Sequence, residues 1–112
     1  MHELAITCGI VELVAKAAKG RKVARVTVEI GKLSGVVPDV VAFCFPEVAR
    51  GTEAEAAFLE ICEIAAAARC DLCGAEFATP SMLTTCRCGS LRFQRLAGEE
   101  LNVRSIELDE AM

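Results

Sequence analysis

Four cysteines in the second half of the chain are spaced like the ligands of a metal ion. Cys70 and Cys73 form a Cys-x-x-Cys pair, and twelve residues separate it from a second pair, Cys86 and Cys88. Two thiolate pairs about 12–20 residues apart are the ligand set of a structural four-cysteine zinc site. The predicted zinc ligands are therefore Cys70, Cys73, Cys86 and Cys88.

The spacing within the second pair is tighter than in a standard site of this kind. Only Arg87 separates Cys86 from Cys88, so the chain needs a sharper turn there to bring both sulfur atoms to one metal. Zinc is favoured over redox-active iron, and iron, a disulfide or a redox switch are the alternatives.

The other three cysteines lie in apolar segments of the chain. Cys8, Cys44 and Cys62 are predicted to be small core residues rather than ligands. Four ligands and three core residues account for all seven cysteines. An odd number of cysteines also argues against a closed disulfide framework.

The start of the chain, Met1-His2-Glu3, offers a second set of metal donors. The N-terminal amine, the backbone amide nitrogen of His2 and the His2 imidazole can form fused chelate rings around one metal ion. The Glu3 carboxylate lies beside them. Tetragonal nitrogen and oxygen sites suit Ni(II) or Cu(II), and their affinity falls as the pH falls because the donors must be deprotonated. The alternative is an ordinary surface histidine.

Composition and charge exclude several classes of protein. The 112 residues carry a net charge of −4, so the chain as a whole has no basic footprint for nucleic acid. A serine or cysteine triad needs a histidine as base, and the one histidine is residue 2. With no secretory signal pattern and no apolar run of about 20 residues, we expect a soluble, cytoplasmic protein.

Apolar periodicity divides the chain into helices and strands that must position these residues. A stripe at helical spacing predicts a helix over Leu4–Lys19, which would leave Met1-His2-Glu3 as a short accessible end. A second helix is predicted from Pro38 to about Gly51, with Pro46 expected to kink or shorten it. The predicted strands cover residues 23–30, 57–64, 91–96 and 101–108. A β-bulge near Arg104-Ser105 would bring the two halves of the last strand into phase.

The cysteine-rich block differs from the segments on either side and reads as an insertion between two strands of one sheet. We therefore predict an α+β domain of residues 1–66 and 94–112, with a zinc-ribbon domain of residues 67–93 inserted in it. Its fold class is a small mixed or antiparallel sheet packed with two helices. A module of this size buries little apolar surface, so metal binding must supply much of its folding free energy.

Five segments of the chain form a recognisable combination: Met1-His2-Glu3-Leu4, the run from Val28 to Val36, Arg50-Gly51-Thr52, the cysteine pairs up to Cys88-Gly89-Ser90, and Gly98-Glu99-Glu100-Leu101. In this combination the sequence resembles the HypA/HybF nickel metallochaperones of [NiFe]-hydrogenase maturation, over essentially the whole chain.

The resemblance implies labile Ni²⁺ bound at Met1, His2 and Glu3, and structural Zn²⁺ bound by the four paired cysteines. It implies a protein that is not an enzyme and delivers nickel with the GTPase HypB to the hydrogenase large subunit precursor. We expect a monomer or weak homodimer that binds neither nucleic acid nor membrane. The chain departs from the family pattern in its Cys86-x-Cys88 pair and in lacking a histidine near the cysteine block.

Two other classes of protein compete with this interpretation. A zinc-ribbon module could bind proteins or nucleic acid with no nickel role. Around the cysteines, however, four arginines are balanced by four acidic residues, which gives no basic patch. A metal-dependent hydrolase is disfavoured because four cysteine ligands leave no coordination position for water.

Overall fold

The computed structural model describes residues 2–81 and 83–110, so Met1 of the predicted nickel ligands lies outside the described residues. In chain order the elements are α1 (His2–Ala18), β1 (Val23–Gly31), α2 (Pro38–Ala49), β2 (Phe58–Ile64), β3 (Ala67–Cys70), β4 (Glu76–Ala78), β5 (Phe93–Ala97) and β6 (Leu101–Leu108). The strands form two separate three-stranded sheets, with orders β2-β1-β6 and β4-β3-β5. The α+β fold class predicted from the sequence is confirmed.

The central strand of the first sheet, β1, pairs in parallel with β2 and antiparallel with β6. Val26, Val28 and Ile30 alternate along β1 and are at most 1% exposed. Helices α1 and α2 pack against each other, α1 also contacting β6 and α2 contacting β2. Burying each of these aliphatic side chains contributes about 1.5–3 kcal/mol, so this helix-covered face is the core of the domain.

The bulge predicted in the last strand is confirmed. Thr27 of β1 pairs with Ser105, and the next residue, Val28, pairs with Val103. Arg104 is therefore the extra residue of β6. The bulge allows Val103 and Ile106, which are out of phase in a regular strand, to pack on the same core.

Helix α1 begins earlier than the apolar pattern predicted. It starts at His2 rather than Leu4, and Glu3 in its first turn is buried. The expectation that Glu3 belongs to a short accessible end is therefore wrong. The helix ends as predicted near Gly20, where both Lys19 and Gly20 have positive φ angles of 53° and 84°.

Helix α2 continues on both sides of Pro46. It begins at Pro38, as predicted, and its last turn, which ends at Ala49, lies beyond the proline. Of the two effects expected of Pro46, a kink or a helix restricted to one side, the second is wrong and the first stays a prediction. Phe45 and Ala49 are both buried in the core, so packing on both sides of Pro46 holds the helix together.

The second sheet is formed by β3, β4 and β5 and contains the start of the cysteine-rich block. We call residues 67–97, which span these three strands, the cysteine module. β3 pairs antiparallel with both β4 and β5. The boundary between residues 93 and 94 that was predicted from the sequence falls inside β5.

Three small residues lie where the cysteine module joins the first sheet. A Cβ atom added to Gly31 would lie 2.1 Å from the carbonyl oxygen of Gly98, and one added to Gly98 would lie 2.6 Å from the Cβ of Ala66. The turn after β1 also forms hydrogen bonds with the chain on both sides of the cysteine module. The N–H of Lys32 donates to the carbonyl oxygen of Ile64, before the module, and the N–H of Leu33 donates to that of Gly98, after it. The module is therefore tied to the turn that follows β1.

Candidate metal centres

The four paired cysteines converge, as predicted, into one cluster of sulfur atoms. The Sγ atoms of Cys70 and Cys88 are 3.6 Å apart, as are those of Cys73 and Cys86, and all four lie within 4.8 Å of one another. A disulfide bond would need a separation of about 2.05 Å, and all four are free thiols. Within residues 2–81 and 83–110 they form the one close group of three or more cysteine, histidine or carboxylate ligands.

The cluster has the dimensions of a tetrahedral zinc site. A zinc–sulfur bond of about 2.3 Å places the sulfur atoms of a tetrahedron about 3.8 Å apart. The two sulfur pairs at 3.6 Å are near this spacing. The four residues therefore fit Zn²⁺, and a set composed only of sulfur ligands also suits iron.

The two cysteine pairs close by turns of different length. In the first, the N–H of Gly74 donates to the carbonyl oxygen of Cys70, four residues earlier. In the second, the N–H of Gly89 donates to the carbonyl oxygen of Cys86, three residues earlier. Both glycines have positive φ angles, 77° and 89°. The shorter turn is the sharper one that the Cys-x-Cys spacing was predicted to need.

Backbone hydrogen bonds favour the thiolate form of Cys70. The N–H groups of Cys73 and Leu72 point at its Sγ from 3.5 and 3.4 Å and, despite burial, lower the pKa of Cys70 to about 6. The pKa of Cys73 is raised: the N–H of Ala75 acts to lower it, but the sulfur atoms of Cys86 and Cys70 outweigh this. A metal ion relieves the repulsion between four thiolates held this close.

The three remaining cysteines are less buried than predicted. Cys8 is exposed, and Cys44 and Cys62 are half-buried. The prediction that all three are core residues is therefore wrong for Cys8. The side of α1 that is buried in the core carries Val11 and Val14, and Cys8 lies outside it.

Two of the predicted nickel donors, the amide nitrogen and the imidazole of His2, belong to the first residue of α1. His2 is exposed in the first turn of α1. An α-helix leaves its first four N–H groups without an intrahelical acceptor, and the amide of His2 is among them. The imidazole and this amide nitrogen are therefore presented together at the surface.

The Glu3 carboxylate has a structural partner that the sequence did not reveal. Its Oε2 accepts a hydrogen bond of 3.0 Å from the N–H of Val37, the residue that precedes α2. Its carbonyl oxygen accepts one of 2.6 Å from the hydroxyl of Thr7, which is fully buried. The N–H of Val37 lowers the pKa of Glu3, so the side chain is an anion that joins the starts of the two helices.

Fold and cysteine cluster together define a class: a small α+β protein with a four-cysteine module that lies, in chain order, between two strands of its first sheet. A family model described as "Hydrogenase/urease nickel incorporation, metallochaperone, hypA" matches residues 1–108. The chain belongs to the HypA family.

Curated relatives agree with this assignment, and a solved structure agrees with the fold. The chain is 48% identical over 110 residues to the hydrogenase maturation factor HypA of Nostoc sp., covering 98% of this chain and 97% of that one. It is 43% identical to that of Geobacter metallireducens over 97% and 100% of the two chains. The solution structure of the Ni metallochaperone HypA from Helicobacter pylori superposes with a TM-score of 0.69 at 22% identity. It covers 95% of this chain and 96% of that one, and this likeness supports the fold.

A separate search for membrane-spanning helices concerns residues 2–81 and 83–110. None of the helices there combines the length and apolar character that crossing a bilayer requires.

Proposed function

We propose that this chain is a nickel metallochaperone that binds Ni²⁺ at its N-terminus and delivers it during [NiFe]-hydrogenase maturation. The observation that carries the proposal is a family match over residues 1–108 together with an exposed His2 at the open start of α1. Its relatives of 48% and 43% identity are named hydrogenase maturation factors. The proposed nickel ligands are Met1, His2 and Glu3.

The proposed nickel site uses nitrogen donors of one chain end. The N-terminal amine, the His2 amide nitrogen and the His2 imidazole fill three positions and leave one open. A recipient can place its own ligand in that position, so nickel moves by ligand exchange. The Oε2 atom of Glu3 accepts a hydrogen bond from the N–H of Val37, so we propose that the Glu3 side chain fixes the helix end. Its backbone nitrogen would occupy the remaining nickel position only until a ligand of the recipient displaces it.

The proposed role of the cysteine module is structural. Zinc would be held by Cys70, Cys73, Cys86 and Cys88 and would link the two turns of the cysteine module. The module needs this link because its sheet is small and largely exposed. The four sulfur ligands close the coordination sphere, which supports a protein without catalytic activity. We propose residues 67–97 as the inserted domain, since β3, β4 and β5 pair only among themselves within residues 2–81 and 83–110.

The partners follow from the same family assignment. We propose that the chain works in the cytoplasm with the GTPase HypB and hands nickel to the hydrogenase large subunit precursor. As a monomer or weak homodimer it would leave the helix start that carries His2 accessible to either partner.

The test is a calorimetric titration of Ni²⁺ into three tagless, zinc-loaded proteins: the wild type, His2→Ala, and a form with Gly-Ser placed before Met1. The extension converts the amine into a neutral amide without changing any residue of the fold. We expect the dissociation constant to rise by more than about tenfold in both variants.

A Cys8→Ser variant is the control. Cys8 is exposed and is the thiol nearest to His2 in the sequence, so it is the thiol of α1 that could bind nickel in place of the proposed donors. The variant should bind nickel like the wild type. Equal nickel binding by all of these proteins would overturn the N-terminal site and favour an interaction module without a nickel role.

A further inference from the structure

The first turn of α1, which carries His2, is held in place by hydrogen bonds to Glu3. Helix ends ordinarily fray, because their hydrogen bonds open at almost no cost in free energy. Glu3, however, is only 8% exposed. Its Oε2 accepts the N–H of Val37 at 3.0 Å, and its carbonyl oxygen accepts the hydroxyl of the buried Thr7 at 2.6 Å. The residue next to His2 is therefore fixed both to the start of α2 and within α1.

The segment of residues 32–37, between β1 and α2, presents the N–H of Val37 to Glu3. We call this segment the β1–α2 loop. Its first two N–H groups donate to the carbonyl oxygens of Ile64 and Gly98, at 2.9 and 2.7 Å. Its last residue is the donor to Glu3. The loop is therefore fixed at its start on the base of the cysteine module and at its end on α1.

Ser34 shapes the middle of the β1–α2 loop. Its N–H donates to the carbonyl oxygen of Gly31 at 3.0 Å, and its Oγ accepts the N–H of Val36 at 3.2 Å. Between these two bonds Gly35 has a φ of 82°, which glycine adopts without strain. A serine hydroxyl that bonds the N–H two residues later closes a tight turn. This turn sets the direction in which the chain reaches Val37.

We propose that Ser34 is a positioning residue for nickel binding, acting through Val37 and Glu3 on the first turn of α1. Successive peptide units of a helix point the same way along its axis. The amide nitrogens of His2 and Glu3 are therefore presented together, and a metal ion that binds them requires little rearrangement of the backbone. Holding the ligands in this arrangement beforehand raises affinity, because less ordering takes place on binding. The inference rests on the proposed function, whose nickel ligands it uses.

The experiment compares four tagless, zinc-loaded full-length proteins: the wild type, Ser34→Ala, Ser34→Thr and Ser105→Ala. Hydrogen exchange of the Val37 amide is followed by NMR without nickel, and Ni²⁺ is then titrated into each protein. Ser34→Ala removes one hydrogen bond. We expect it to speed exchange at Val37 and to raise the dissociation constant for Ni²⁺ by about three- to tenfold. Ser34→Thr keeps the hydroxyl and should restore both values.

Ser105→Ala is the matched control. Ser105 is exposed in β6 and pairs with Thr27 in the middle of β1. It should match the wild type in both measurements. Unchanged exchange at Val37 in Ser34→Ala would overturn the proposal, because Ser34 would then not hold the loop. Faster exchange with unchanged nickel affinity would also overturn it, as would an equal loss of affinity in Ser105→Ala.

His2→Ala separates this inference from the proposed function. It should lose nickel binding and keep the slow exchange of the Val37 amide. Undiminished nickel binding by His2→Ala would count against the N-terminal nickel site itself. Weak binding by His2→Ala, with Ser34→Ala binding like the wild type, would count against the role of Ser34 alone.

Discussion

At the scale of single residues, the proposed metal ligands fall into two unlike sets, four cysteine sulfur atoms and the donors at the start of the chain. The convergence of the four cysteine sulfur atoms could be predicted because pair spacing alone is typical of such a cluster. The role of Glu3 could not be predicted, because its hydrogen-bond partner, Val37, is 34 residues away in the chain. No local pattern signals a contact between two helix starts that only the tertiary fold brings together.

Replacing Glu3 with glutamine should destabilise the chain in a pH-dependent way. The folded-state pKa of Glu3 is lowered, so its contribution to stability is present above the unfolded pKa and is lost as the pH falls through the folded pKa. Glutamine keeps an acceptor for Val37 but has no charge. The difference in melting temperature between wild type and Glu3→Gln should therefore be largest at pH 7 and shrink toward pH 3. A difference that does not change with pH would contradict this role.

Cys70 should be the least replaceable of the four cysteine ligands. It is 1% exposed, and its sulfur accepts hydrogen bonds from two backbone N–H groups. Serine at this position would remove the sulfur ligand and also the acceptor of those two N–H groups. We expect Cys70→Ser to be purified with almost no zinc, measured by elemental analysis. Cys62→Ser, outside the cluster, is the control and should retain zinc fully. Normal zinc content in Cys70→Ser would refute the ligand assignment.

At the scale of helices and strands, the sequence predicted where most elements lie but not how the strands pair. The signals were apolar periodicity and the proline and glycine residues at helix ends. β1 was predicted closely because apolar and polar residues alternate along it, and the bulge at Arg104 because β6 changes phase. The start of α1 at His2 was missed since its first turn lacks an apolar stripe. The partner of β5 was missed because a short strand does not indicate which sheet it joins.

The junction between the two sheets should be intolerant of any side chain at Gly31. Alanine there would place its Cβ within 2.1 Å of a backbone oxygen, so the strands must move apart. We expect Gly31→Ala to lower the free energy of unfolding in urea by about 2 kcal/mol.

Gly9→Ala is the matched control for Gly31→Ala. Gly9 lies inside α1 and nothing lies within 4 Å of its added Cβ. Alanine favours the helix, so this variant should gain about 1 kcal/mol. Similar effects of the two substitutions would show that the junction is not tightly packed.

At the scale of the whole molecule, two units are built on different principles. The first sheet and its helices hold a buried aliphatic core, whereas the cysteine module has few buried side chains, two of them Cys70 and Cys86. The change in composition along the chain predicts an inserted domain here, and its division from the rest stays a prediction. Its limits could not be predicted, since they depend on the pairing of β5.

Removing zinc should therefore unfold one unit only. With a chelator, amide resonances of residues 67–97 should collapse into the range of an unfolded chain, while those of β1, β2 and α2 stay dispersed. Adding zinc back should restore the module. Loss of dispersion throughout the chain would mean that the first sheet depends on the metal as well.

The central claim, that His2 carries nickel for hydrogenase maturation, is tested most directly by nickel incorporation in cells. A bacterium that lacks its own HypA would express the wild type, His2→Ala or, as the control at an exposed position of α1, Leu13→Ser. Radioactive nickel in the hydrogenase large subunit would then be counted. We predict incorporation with the wild type and Leu13→Ser, and a loss of more than about tenfold with His2→Ala at equal protein levels. Incorporation by His2→Ala equal to that of the wild type would contradict the account.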